Sequence, residues 1–244
     1  MAASLPAGCP ALEIGPGCGV LTAELAARAR KVVALELDER LRPILAETLA
    51  GFSNVDVVYG DVLKLNLAAI LEESFGGERA QVCANLPYGV TSPVIMRLLE
   101  ERLPLCAITV MVQKEAADRL CAAPGSRLSG AITMAVWYYA EPERLFSVSR
   151  NAFYPRPKVD SAVIRLTVRE QPPVSVSDET RFFGLIRAAF GQRRKTIVNA
   201  VSAGLSLPKP AVDAAVQKAG LSPLARAEQL TLPDFARLME ALAL

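Results

Sequence analysis

The chain has 244 residues, 52% of them hydrophobic and 21% charged, with a net charge of +2. That is material for one full α/β domain with a small appendage, or one large domain, and no apolar run reaches the ~18–20 residues of a membrane-spanning helix. Histidine is absent, which excludes His general bases, Ser–His and Cys–His pairs and nearly every catalytic zinc geometry, so no metal is expected.

The first ten residues lack the basic-then-apolar pattern of a secretory signal. Residues 11–15 (ALEIG) read as a short strand ending in glycine, and Val20–Arg30 as a helix with apolar residues four apart. Residues 31–37 (KVVALEL) form a buried strand, Leu41–Leu49 a helix, Val55–Tyr59 a strand and Val62–Ser74 a helix. Gln81–Ala84 begins a strand, Ser92–Arg102 is helical, and Leu105–Gln113 is a longer buried strand. This alternation predicts an α/β fold, a Rossmann-like doubly wound sheet. Ile132–Ala140 reads as a helix, and Arg144–Ser149 and Ser161–Val168 as late strands antiparallel to each other. A Pro-rich stretch at Arg169–Asp178 reads as a linker, placing a domain boundary near residue 170. Residues 171–244 are then a small all-helical domain. The five cysteines contain no Cys-x-x-Cys pair and read as buried free thiols in a reducing cytoplasm.

The loop Glu13-Ile-Gly15-Pro-Gly17-Cys-Gly19 follows the first strand and opens the first helix. Glycines there let the chain turn sharply and let a ligand approach the amides. A dinucleotide fingerprint needs glycine at position 20, which is Val20. The E-x-G-x-G-x-G spacing instead looks like the S-adenosylmethionine loop of methyltransferases. Glu36, followed by Leu37, ends the second strand where a carboxylate can accept both ribose hydroxyls, while Asp38 suits a helix N-cap. Asp61, followed by Val62, can take a hydrogen from an adenine amino group or cap a helix equally well.

Asn85-Leu86-Pro87-Tyr88 ends the fourth strand, at the carboxyl edge where doubly wound folds bind ligands. An exocyclic aromatic amine is a poor nucleophile because its lone pair is delocalised. The Asn85 amide oxygen and Pro87 carbonyl can accept its hydrogens and favour a pyramidal nitrogen, with Tyr88 stacked on the base. No strong base is needed. An isolated tetrapeptide of this kind is more often an Asn-initiated turn, but its place after Glu36 and Asp61 favours an amino-methyltransferase site.

The stretches LEIGPGCGVLT, VVALELDERL, NLPYGVTSPVI, MVQKEAADRL, FYPRPKVDSAVIRL, AFGQRRKTIVNAV and LARAEQLT resemble the ribosomal RNA adenine N6,N6-dimethyltransferase family, of the bacterial KsgA (RsmA) type. The resemblance implies methylation of two adjacent adenines in the 3′-terminal hairpin loop of small-subunit (16S) rRNA, late in assembly and on a pre-30S or 30S particle. It implies S-adenosyl-L-methionine as cofactor, held by Glu13, Gly15, Gly17, Gly19, Glu36, Leu37, Asp61, Val62 and Asn85. It also implies Tyr88 and Phe153 as faces around the extruded adenine. Erythromycin-resistance methylases, which act on large-subunit rRNA, share the loop and an N-[LI]-P-[YF] site, and an assembly factor without catalysis is the other alternative. Family members carry a longer stretch ahead of the glycine loop, with a G-Q-[NH]-F-L segment closing over the cofactor, which the 12 residues ahead of Glu13 do not match.

Charge is uneven along the chain. Residues 1–149 carry 13 Lys/Arg against 17 Asp/Glu, and residues 150–244 carry 14 against 8. The basic rear suits a polyanion. Arg156 and Lys158, on a proline-stiffened loop, and Arg187, Arg193, Arg194 and Lys195 are the candidate rRNA contacts. Tyr154 on the same loop reads as a core plug more readily than Phe153 does. If the helix beginning near Glu179 runs past Gly191, Arg187 and Arg194 share a face. Nothing demands a membrane or more than a monomer.

Overall fold

The computed structural model describes residue 2 and residues 5–243. Among these, two compact units are formed by residues 1–117 with 140–169, and by residues 118–139 with 170–244. The boundary expected near residue 170 left 118–139 in the first unit, whereas that stretch packs in the second.

The first unit is built on a seven-stranded sheet of order β3-β2-β1-β4-β5-β7-β6. Its strands are β1 (Ala11–Ile14), β2 (Val32–Glu36), β3 (Val55–Tyr59), β4 (Ala80–Asn85), β5 (Leu105–Gln113), β6 (Ala140–Val148) and β7 (Ser161–Val168). β1 to β5 are mutually parallel. β7 runs antiparallel to both β5 and β6, so the sheet is mixed, and no α-helix intervenes between β6 and β7. β1, β2 and β4 are almost wholly buried, which explains their continuous apolar runs. β6 is an edge strand and begins four residues before the expected start. It accommodates Pro142, whose missing N–H is tolerated at an edge.

Helices α1 (Val20–Ala26), α2 (Arg42–Thr48), α3 (Leu67–Phe75) and α4 (Thr91–Glu100) join the parallel strands. α3 starts five residues later than the apolar pattern suggests, because Asn66 caps it by accepting the Ala69 N–H at 3.1 Å. Residues 62–65 are thereby left as a loop at the carboxyl edge of the sheet. The strand order reverses between β1 and β4, and such a switch point opens a crevice at the strands' carboxyl ends. A short helix α5 (Lys114–Leu120), not evident in the sequence, follows β5.

The second unit contains α6 (Ala131–Tyr139), α7 (Glu179–Phe190), α8 (Ile197–Leu205), α9 (Lys209–Lys218) and α10 (Leu232–Ala241). α6 is apolar on nearly all sides, and it is buried there. Tyr138 lies in edge-to-face contact with Phe183 of α7, and its hydroxyl donates to Glu179 at 3.0 Å. α7 and α8 approach closely at Gly204, where a Cβ would stand 2.6 Å from that of Ala188. No helix among the described residues is long and apolar enough to cross a membrane.

Candidate active site

β1 runs into the glycine loop, where Gly15, Gly17 and Gly19 adopt φ of +73°, +58° and +84°. Side chains are strained in that left-handed region. Nothing lies within 4 Å of where a Cβ would project at Gly15 or Gly17, so their backbone faces open space. Gly19 is different: a Cβ there meets the side chains of Thr48, Leu45 and Leu49 at 3.2–3.3 Å. Its conformation serves the packing of α1 on α2.

Glu36 is buried at the end of β2 and fixed from two sides. Its Oε2 accepts the Gly17 N–H at 3.1 Å and its Oε1 accepts the Asp38 N–H at 2.9 Å. Each oxygen keeps a further lone pair for a ligand hydroxyl. Asp38 is the expected cap, accepting the Arg40 N–H at 3.0 Å, and hydrogen bonding to Arg40 holds its carboxyl down at about 2. Asp61 does not cap α3, a role Asn66 takes; one of its oxygens accepts the Leu63 N–H at 2.9 Å and orders the loop. The guanidinium of Arg97, on α4, braces the same loop through the carbonyls of Val62 and Leu65.

A cavity of about 260 Å³ opens between these groups. Gly15, Glu36, Leu37, Asp61 and Val62 line it; Glu13, Gly17, Gly19 and Asn85 do not. The sequence also gave no sign of its apolar wall, which includes Leu63, Val90 and Val94. On α4, a residue facing a cavity has the same helical spacing as one facing the core.

Glu13 is 1% exposed, and its Oε2 has no hydrogen-bond partner, nor has Oγ1 of buried Thr22. Burial, opposed by the neighbouring Thr22 hydroxyl and reinforced by the Glu36 carboxylate, pushes the acid up to about 7. An unpaired buried acceptor is costly and calls for a donor. The ammonium group of an amino-acid ligand such as the methionyl end of S-adenosylmethionine is one that fits.

A second cavity, of about 250 Å³, is lined by Asn85, Leu86, Pro87, Tyr88 and Phe153 together with Pro155 and Pro157. All five side chains expected around a target amine therefore meet at one place. Leu86 and Pro87 border both cavities. The Pro87 carbonyl already accepts the Val90 N–H at 3.1 Å and the Thr91 hydroxyl at 3.4 Å, which fix its direction. Tyr154 is fully exposed rather than plugging the core. Arg156 and Lys158, on the same loop, are exposed as well.

The remaining basic candidates lie in the second unit. α7 stops at Phe190 and a turn follows Gly191, so Arg187 and Arg194 do not share a helical face. Arg187, Arg194 and Lys195 are exposed. Arg193 is engaged within its unit, donating to the Arg127 carbonyl at 3.2 Å and pairing with Glu228 at 3.3 Å. Of the cysteines only Cys83 is buried, and burial raises its thiol to about 12; Cys18, in the glycine loop, is exposed. No cluster of three potential metal-binding Cys, Asp or Glu side chains occurs among the described residues.

A doubly wound sheet, a glycine loop beside a fixed carboxylate, and a base-sized cavity adjoining it define a Rossmann-like methyltransferase. The family profile of ribosomal RNA adenine dimethylases matches residues 3–244. The ribosomal RNA small subunit methyltransferase A of Geobacillus thermodenitrificans is 49% identical over 245 residues, covering 99% of this chain and 84% of the relative. That of Anoxybacillus flavithermus is 49% identical over 235 residues, covering 95% and 80%. Among solved structures, the 23S rRNA methyltransferase ErmE matches with a TM-score of 0.73 and 32% identity, over 99% of this chain and 94% of that one. A dimethyladenosine transferase from Plasmodium falciparum matches with a TM-score of 0.77 and 25% identity, over 98% and 91%. The chain belongs to the ribosomal RNA adenine dimethylase family. It is a methyltransferase acting on rRNA adenine, with S-adenosylmethionine as methyl donor.

Proposed function

We propose that this enzyme dimethylates N6 of two adjacent adenines in the 3′-terminal hairpin loop of 16S rRNA, as a cytoplasmic monomer acting on a pre-30S or 30S particle. The observation that carries the chemistry is the shared wall: Leu86 and Pro87 separate a cavity bearing Glu36 and Asp61 from one bearing Asn85, Tyr88 and Phe153. The first suits the nucleoside of S-adenosylmethionine, with Glu36 accepting from the ribose hydroxyls and Asp61 from the adenine amine. Bound there, the cofactor supplies an electrophilic sulfonium methyl.

In the second cavity Tyr88 and Phe153 sandwich the extruded base, which is cheaper to unstack from a hairpin loop than from a duplex. Asn85 accepts one amine hydrogen, and the Pro87 carbonyl, which keeps its bond from the Val90 N–H, accepts the other once the Thr91 hydroxyl turns away from it. The nitrogen becomes pyramidal and its lone pair is directed at the methyl. This is positioning chemistry and needs no histidine. Arg156, Lys158, Arg187, Arg194 and Lys195 contact rRNA phosphates in this reading, and Arg193 is released from that role by its partners.

The choice of small-subunit rRNA rests on the relatives that are 49% identical to this chain over the aligned residues. The 32% likeness to ErmE favours large-subunit rRNA as the second reading. Labelled S-adenosylmethionine with a mixture of undermethylated small subunits and unmethylated 23S rRNA, followed by nucleoside analysis and mapping, separates the two. N6,N6-dimethyladenosine at the 16S 3′ hairpin is the expected product; label confined to 23S rRNA sinks the proposal. Asn85→Ala should lower the rate about 10²–10³-fold, as loss of one preorganised polar contact does, with particle binding retained.

A further inference from the structure

We infer that Ser161 is a positioning residue for methyl transfer, acting through Tyr88. The inference rests on the base-binding role proposed for Tyr88 and adds a residue to it. Ser161 is the first residue of β7 and 1% exposed, lying in the ladder opposite Gln113 of β5 and Val148 of β6. Its Oγ is 3.1 Å from the Tyr88 hydroxyl, a hydroxyl–hydroxyl hydrogen bond across 73 residues of sequence. Tyr88 itself is 39% exposed and lies on the turn between β4 and α4. A ring held at one end only by a turn is free to swing, and a stacking surface must be fixed before the base arrives to contribute fully.

The anchor is rigid for identifiable reasons. β7 is hydrogen-bonded on both sides, and the residue before Ser161 is tied down twice. The Asp160 carbonyl accepts the Lys114 N–H at 3.0 Å, and its Oδ1 accepts the Arg150 N–H at 3.0 Å. Phe153 lies on the segment between Arg150 and Asp160, so both faces of the base cavity refer back to the start of β7.

The test is a double-mutant cycle on single-turnover methyl transfer to undermethylated small subunits. Ser161→Ala should slow transfer about fivefold, the worth of one net hydrogen bond, while the KM for S-adenosylmethionine stays unchanged. Ser161→Thr, which keeps the hydroxyl, should restore the rate. Tyr88→Phe keeps the ring and loses the bond, so Ser161→Ala should add nothing in that background. A wild-type rate for Ser161→Ala, or equal losses in both backgrounds, overturns the inference. In the ligand-free protein, the Tyr88 ring resonances of ¹³C-tyrosine samples should shift and average faster in Ser161→Ala and not in Ser161→Thr. Unchanged Tyr88 resonances overturn the inference whatever the RNA assay gives. Absence of dimethyladenosine from the wild-type reaction counts against the proposed function alone, and the resonances then decide for Ser161.

Discussion

Glu13 combines deep burial with an unsatisfied oxygen, an arrangement that folding alone does not reward. The folded chain holds its proton more tightly than the unfolded chain does, because burial and then Glu36 raise it from 4.5 to about 7. Its contribution to stability is therefore fully present below pH 4.5 and is lost as pH rises through about 7. Glu13→Gln should make the ligand-free protein about 3 kcal/mol more stable than wild type at pH 8 and no more stable at pH 4. Thermal melts at the two pH values check this. If Glu13 receives the cofactor's ammonium, wild-type affinity for S-adenosylmethionine should rise between pH 6 and 8, and that slope should vanish in Glu13→Gln. At this scale the sequence was most readable where a side chain has one strong local preference, as Asp38 does for a cap. It was least readable where burial decides: Tyr154 and Phe153 are adjacent aromatics, and only the fold separates the exposed one from the one lining a cavity.

Among the elements, α4 joins the two cavities to the loop after β3. Val90 precedes its first turn, Val94 lies on its inner side, and Arg97 reaches back to two carbonyls of the loop carrying Asp61 and Val62. Charged donors on carbonyls are worth about 1.5–3 kcal/mol. Arg97→Ala should therefore raise the KM for S-adenosylmethionine about tenfold, the equivalent of 1.4 kcal/mol, with kcat little changed; steady-state kinetics at saturating particle measure both. β5 and β7 were readable to the residue because long β-branched runs bounded by turns admit few alternatives. α3 was not, since Val62 to Leu65 fits a helical apolar stripe and the Asn66 cap outweighs it.

For the molecule as a whole, alternation of strands and helices conveyed the doubly wound order, but not which core each segment joins. α6 follows β5 and α5 in the chain, yet its Tyr138 is buried against Phe182 and Phe183 of the helical unit. Periodicity marks a helix as buried without naming its partner. The charge imbalance was readable as a property of the rear half, and the structure divides its proposed effect. Arg187, Arg194 and Lys195 are exposed, whereas Arg193 is committed to Glu228. Reversing the first three to Glu should weaken binding to the small-subunit particle and flatten the plot of log affinity against log salt by about two to three. Arg193→Glu should instead lower the melting temperature, by loss of an ion pair and repulsion from Glu228.

Two cavities that meet at Leu86 and Pro87 also constrain what can block this enzyme. A nucleoside analogue in either cavity competes with only one substrate, and nucleoside-binding folds are numerous. A compound carrying an adenine ring tethered by a few bonds to a cofactor-like nucleoside would occupy both cavities at once. Its second half would then bind at the high local concentration set by the first. Selectivity would come from the tether, which must pass the border that the two cavities share at Leu86 and Pro87.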